Sequence, residues 1–325
     1  MFFFSLSIMW RFFYCSTYNI MWIMLRGNSQ LTENELKLMI SNSIYEYYSN
    51  INMYNHFSQD DYTGLLLSLL DLNRKWIPQQ KRKVFYSKEI KDKIENKKIK
   101  QKCIDLIYEF ESKFLCGENI NSHLSKNIYL PSNLDKLLLY WNIHHLHLSN
   151  KNAENYEQMH SNRSDYYLLF LIDKCNVYFL DITKHLKGSE FSSLSFLKII
   201  FNNNWESVVP FVELPNVTGV SFEINNKEQL NQFWNANVNY IIYNYNGKYY
   251  GNINGVMLNG NSIEDMNCVC KLNEILFYIS NQSNVILKNI EVMSDNCILK
   301  MEISIDNVDK AIEIHNDIQQ NIFKI

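Results

Sequence analysis

The 325-residue sequence holds few of the residues that interrupt regular structure, only 9 glycines and 4 prolines, and no marked excess of either charge, its 31 Lys and Arg standing against 34 Asp and Glu. Scarce Gly and Pro exclude collagen-like and low-complexity architectures. A net charge of −3 excludes wholesale electrostatic binding to a polyanion, so any nucleic-acid contact has to be local. The fingerprints G-x-x-x-x-G-K-[ST], G-x-G-x-x-G, G-x-S-x-G and H-E-x-x-H are all missing, which removes the motif-based case for nucleotide binding, serine hydrolysis and zinc proteolysis. Also missing is an uninterrupted apolar run of the about 20 residues that a bilayer span needs. The nearest stretch, residues 1–25, is broken by Arg11 and has neither a basic leading region nor a small-residue cleavage site. Translation from Met21 or Met24 is therefore expected, with residues 1–23 a leader outside the folded protein; a membrane anchor is the alternative.

The seven cysteines are odd in number and irregularly spaced, in a chain too long to need disulfide staples. A reducing, cytoplasmic location is expected, without stable membrane association. Cys268 and Cys270 form the closest pair, but no second pair completes a tetrahedral zinc site. No cofactor is expected.

What is present is a core. The chain is 46% apolar and 14% aromatic, enough to build two or three folded units and too much for a disordered chain. Thr32 and Glu35 form a capping box ahead of Leu36, Met39, Ile40 and Ile44 at helical spacing, which predicts a helix over about 33–49. A second helix is expected from Ser58 and Asp61 to Trp76, before Pro78, and a third over about 87–115. From Tyr140 the period shortens to two, giving expected strands at 141–149, 166–172 and 177–183, the last two joined as a hairpin. Further on, helices are expected at 190–203, 227–235, 262–281 and 307–321, and strands at 218–224, 238–245, 248–253, 285–293 and 297–305, with Asn246-Gly247 as a hairpin turn. The fold class is α+β: a helical region at 24–125, a central antiparallel meander with flanking helices at 126–212, and a C-terminal α+β unit at 213–325.

Five of the eight histidines fall between 144 and 185. On a strand, His145, His147 and Ser149 share one face, while His144, Leu146 and Leu148 share the other. The leucines mark the second face as the core face, which leaves His145 and His147 for chemistry and makes His144 a core histidine. In a meander, residues 147–149, 163–166 and 183–185 meet at one edge, gathering His147, Ser149, Arg163, Ser164, Asp165, Thr183 and His185. Metal-free cleavage of RNA needs a base for the 2′-hydroxyl, an acid for the leaving oxygen and a cation over the phosphate. Two histidines and Arg163 supply all three, since imidazole titrates near neutrality and guanidinium binds two phosphate oxygens at once. The same residues also suit a metal site built on His145, His147 and His185, or a structural polar surface. The run Lys81–Lys102 holds ten Lys or Arg against three acids. Lys81, Arg82, Lys83, Lys97 and Lys98 are its candidates for tracking an RNA backbone, with Phe85 and Tyr86 to stack bases; a solvated helix face is the alternative.

The elements LDLNRKWIP (70–78), HLSKNI (123–128), LLLYWNIHHLHLS (137–149), RSDYYLLF (163–170), VYFLDITKH (177–185) and NNW (203–205) resemble a bacterial protein family of uncharacterised function. The order of strand-borne His, Arg and closing His also resembles the barnase- and RelE-like ribonuclease toxins, over about 80 residues. That resemblance implies catalysis by His147, Arg163 and His185, with His145 and Asp165 beside them, and an endoribonuclease of toxin or phage-defence type. Its partners would be RNA and an antitoxin or defence-system protein. The alternative is a non-catalytic interaction or metal-binding protein of a defence or mobile-element system.

Overall fold

Thr32 opens the first helix as its capping box requires: its hydroxyl accepts from Glu35 N, and the Glu35 carboxylate accepts from Thr32 N at 2.8 Å. The structure is a computed structural model that describes residues 31–51, 58–125, 128, 135–149, 165–184, 194–239, 242–282, 285–293, 297–305, 308–314 and 323–324. Helix α1 spans Glu33–Asn50 and α2 spans Tyr62–Lys75. Asp61 rather than Ser58 caps α2, its carboxylate accepting from Gly64 N at 2.9 Å. The fold is α+β, as the sequence indicates, and no helix of the described residues is long and apolar enough to cross a membrane.

The apolar faces of α1 and α2 turn away from the rest of the N-terminal third. Leu36, Ile40, Ile44, Leu65 and Leu69 share a core with Cys268, Leu272 and Leu276, and with Leu299, Met301 and Ile312 of the C-terminal sheet. That sheet has the order β11–β10–β9–β8, with β8 Val285–Met293, β9 Ile298–Ile305, β10 Val308–Ile314 and β11 Phe323–Lys324. The expected unit at 24–125 is thereby corrected. Residues 33–75 pack with the C-terminal elements, and the chain joins the central sheet only past Trp76. The helix expected at 307–321 is also corrected, because β10 pairs with β9 through Ile312↔Met301 and Ile314↔Leu299. The two-residue spacing of the isoleucines prevails over the four-residue spacing of Ala311 and His315; His315 lies outside the described residues.

The central sheet has the order β1–β4–β3–β2. Strand β2 is His144–His147, β3 is Tyr166–Ile172 and β4 is Asn176–Lys184, all antiparallel, and β1, Lys83–Tyr86, adds to β4 in parallel. The expected strand at 141–149 is shorter because Asp135 caps a helix, α5 (Lys136–Trp141), which ends at Asn142 with φ of 57°. The basic run does not lie on one helix: it begins as β1 and continues as α3 (Lys88–Glu95) and α4 (Gln101–Cys116), with Lys97 between them at φ of 50°. One sheet face carries Leu146, Leu168, Phe170 and Phe179 against Ile90, Ile107, Phe110 and Phe114 of α3 and α4. The other carries Tyr167, Leu169 and Leu180 against α5, α6 (Ser195–Asn202) and Trp234 of α7 (Lys227–Asn235). Burial on both faces explains why β3 reads as the nearly continuous apolar run YYLLFLI.

A small sheet of order β5–β7–β6 follows, with β5 Phe211–Glu213, β6 Ile242–Tyr245 and β7 Lys248–Asn252. Its hairpin turns at Asn246 and Gly247, both at positive φ as the Asn-Gly pair predicts. No strand forms at 218–224, where Gly219 interrupts the pattern.

Helix α8 (Ile263–Ser280) is tied to α2 by a buried ionic cluster. Asp71 Oδ2 lies 2.5 Å from Lys75 Nζ, and Arg74 pairs with Asp71 and with Asp265 of α8, all four residues being buried. Two anions and two cations neutralise each other there. Replacing Asp265 by Ala leaves two buried cations, Arg74 and Lys75, against the single carboxylate of Asp71 and is expected to cost about 3–5 kcal/mol in urea unfolding. The pair Asp265→Leu with Arg74→Met should recover most of that loss; a single-mutant cost under about 1 kcal/mol would contradict the cluster.

Candidate functional site at the open end of the meander

The register of the meander sets which side chains meet. His147 faces Tyr167, which faces Thr183; His145 faces Leu169, which faces Asp181. Leu148 N donates to Tyr166 O at 3.0 Å, and Tyr166 pairs with Lys184. Residues 147–149, 165–166 and 183–184 therefore converge on one edge, the open end of the β3–β4 hairpin. Asp165 is exposed there. Arg163, Ser164 and His185 lie outside the described residues; in the chain, Arg163 stands two residues before Asp165, and His185 directly follows Lys184.

The sheet faces differ from the expectation. Because helices cover both sides, the face carrying His145 and His147 is only slightly more open than the leucine face. His147 is only 8% exposed, and its ring centroid lies 4.5 Å from that of Tyr167. His145 is half-buried, edge-on to the same tyrosine, and its Nδ1 lies 3.3 Å from Asp135 Oδ2. The other Asp135 oxygen accepts from Leu138 N at 3.1 Å, so one carboxylate caps α5 and faces an imidazole. A carboxylate at Nδ1 keeps the proton on that nitrogen and leaves the basic lone pair on Nε2. His145 is thus a carboxylate-oriented histidine.

His144 is a core histidine, stacked on Phe170 at 5.3 Å. Burial lowers its pKa to about 4, with Asp135 opposing and His145 and Arg82 adding to the shift. A little further along, β4 carries one residue more than β3, since Leu169 faces Asp181 while Phe170 faces Phe179. This bulge sets Asp181 against Lys93 of α3, at 2.6 Å, and Lys93 also donates to Ile182 O at 3.2 Å.

The basic candidates divide between the two ends of the sheet. Lys83 N donates to Cys175 O, which puts Lys81, Arg82 and Lys83 at the closed turn of the hairpin. From there to Lys184 is roughly 26 Å along β4, at about 3.3 Å per residue. Lys81 and Lys83 are exposed, but Arg82 is buried and donates to the carbonyls of Pro78 (2.8 Å), Gln80 (3.3 Å) and Asp173 (3.3 Å). Arg82 thus holds the turn together and does not face a ligand. Lys97 and Lys98 are exposed, with Lys98 paired to Asp92 at 2.6 Å. Tyr86 spends its hydroxyl on Glu111 and its ring on Phe179, while Phe85 is 42% exposed and stacked on Tyr178.

Three features at or near the open end escaped the sequence reading: Asp135, the Lys93–Asp181 pair, and Tyr166 with Lys100 and Lys184 near its ring. Asp135 had a usable signal as an N-cap residue ahead of LLLYW. The other two join residues far apart in sequence. Among the described residues no group of three or more His, Cys, Asp or Glu side chains converges as a metal site requires. Cys268 is buried and Cys270 exposed, so the pair faces opposite sides of α8. His123 is buried against Phe110, and His56 lies outside the described residues. No protein-family model matches the chain, and no match is found among curated proteins or solved structures.

The depressed pKa of His144 has a stability consequence with a definite sign. An unfolded histidine protonates near 6.5, whereas the folded His144 stays neutral down to about 4. The unfolded state therefore binds more protons between those values, and stability falls as pH drops from about 6.5 towards 4, by roughly 3 kcal/mol at most. Denaturant midpoints measured from pH 7 to pH 4.5 should fall less steeply in His144→Phe than in the wild type; parallel curves would contradict the assignment.

Proposed function

We propose that the chain is an endoribonuclease of toxin or phage-defence type, cleaving RNA without a metal ion, with His145 as the base. The supporting observation is the Asp135–His145 pair beside the edge where the three strand ends meet. A 2′-hydroxyl gives its proton to Nε2 of His145, and its oxygen attacks the adjacent phosphorus. The bond to the 5′-oxygen then breaks, and an acid returns a proton to that oxygen, leaving a 2′,3′-cyclic phosphate and a 5′-hydroxyl. His185 is the proposed acid and Arg163 the proposed cation over the phosphate, both assigned from sequence. His147 moves from base to supporting residue, because its ring is packed on Tyr167.

A second reading has its own support. His144 and His147 are both buried against aromatic rings, which suits a non-catalytic interaction protein of a defence or mobile-element system.

Single-stranded RNA incubated with the purified full chain in excess EDTA separates the two. The expected products are 2′,3′-cyclic phosphate ends, formed roughly 100-fold or more slowly by His145→Ala and also more slowly by Asp135→Asn. Cleavage that requires an added metal, or that survives in His145→Ala at the wild-type rate, would remove the proposal. Absence of cleavage by the wild type would select the interaction protein.

A further inference from the structure

Lys100, at the start of α4, and Lys184, at the end of β4, both approach the ring of Tyr166, their ammonium groups lying 5.7 and 6.0 Å from its centroid. Both lysines are exposed, and neither has a carboxylate within ion-pairing distance among the described residues. Of the other lysines of this stretch, Lys93 is paired with Asp181 and Lys98 with Asp92, whereas Lys91, Lys97 and Lys102 are exposed and, like Lys100, form no ion pair among the described residues. What sets this pair apart is that two unpaired cations approach one aromatic ring, which concentrates positive charge there. Each cation gains from the π-face, but the two repel each other, and an anion between them would relieve that repulsion. The side chain of Tyr166 packs partly against the core on the α3–α4 face, which fixes the ring in place.

We infer that Tyr166, Lys100 and Lys184 form a clamp for a nucleic-acid single strand, with the lysines on consecutive phosphates and the tyrosine ring against an unstacked base. A single strand suits the clamp because a base within a duplex is stacked on its neighbours and cannot lie on a side-chain ring. The clamp also reassigns the role expected of Lys81–Lys102: its contacting member at this end is Lys100, with Lys184 supplied from outside the run. It sits on the sheet face opposite His145, at the same open end, so a bound strand crosses the edge towards the histidine. The inference deepens the ribonuclease reading by naming a single-stranded substrate, but the clamp's binding activity does not require that reading to hold.

The test is fluorescence anisotropy of the full chain with three labelled oligonucleotides of equal length: single-stranded 2′-O-methyl RNA, which lacks the attacking hydroxyl, single-stranded DNA, and duplex RNA. Both single strands are expected to bind more tightly than the duplex. Tyr166→Ala should weaken that binding roughly tenfold or more, while Tyr166→Phe, which keeps the ring and its packing, stays near wild type. Lys100→Gln with Lys184→Gln should lower the slope of log affinity against log salt by about 1.4, corresponding to two phosphate contacts on a single strand. Tighter binding of the duplex, or single-strand binding unchanged by both Tyr166→Ala and the double Gln variant, overturns the clamp. Binding of the non-cleavable strand that depends on these residues, in a protein that cleaves no RNA, upholds the clamp and removes only the nuclease.

Discussion

The burial of the central sheet on both faces governs everything else at the candidate site. With α3 and α4 on one side and α5, α6 and α7 on the other, alternate side chains of β2 and β3 meet packed surfaces in either direction. A histidine on such a strand reaches solvent only where a strand ends or a covering helix stops. His144 and His147 fall under the cover, one on Phe170 and the other on Tyr167. His145 is held near the N-terminus of α5, where the cap residue Asp135 already turns a carboxylate oxygen towards it. The chemistry available at this end is therefore set by where the helices stop as much as by the strands themselves.

The meander itself was legible, because period-two patterning over 166–172 and 177–183, with a four-residue loop between, specifies a hairpin with little ambiguity. The Asn246-Gly247 turn and the capped helices α1, α7 and α8 were legible for similarly local reasons. The sequence could not reveal that a second layer of helices covers the histidine face. Leu146 and Leu148 correctly marked one side as buried, yet the inference that the opposite side was open assumed a sheet with a single core. The expected first strand begins at Trp141, the last residue of the apolar run LLLYW, whereas Asp135 ahead of that run is the cap of a helix that takes in all five residues. Short apolar runs read equally well as either element.

The basic run teaches a related lesson about composition and geometry. Ten cations within 22 residues suggested one continuous charged surface. The chain breaks that stretch into a strand and two helices, and so delivers its members to opposite ends of the sheet. Arg82, one of the five basic candidates for the RNA backbone, is occupied by three backbone carbonyls at the hairpin turn. Residues brought together by topology alone, such as Lys100, Tyr166 and Lys184, leave no trace in a linear count.

The core that unites α1 and α2 with α8 and the C-terminal sheet has a bearing on synthesis. The two helices leave the ribosome well before α8 and the C-terminal sheet, so Leu36, Ile40, Leu65 and Leu69 stay bare until the surfaces that cover them have been made. Neither helix pair nor sheet has its full core until β8, β9 and β10 have been made, so this unit is closed by contacts of very long sequence separation. During translation those leucines and isoleucines are a binding surface for chaperones, and a ribosome stalled before β8 would release a chain whose greasy helices have nothing to rest on.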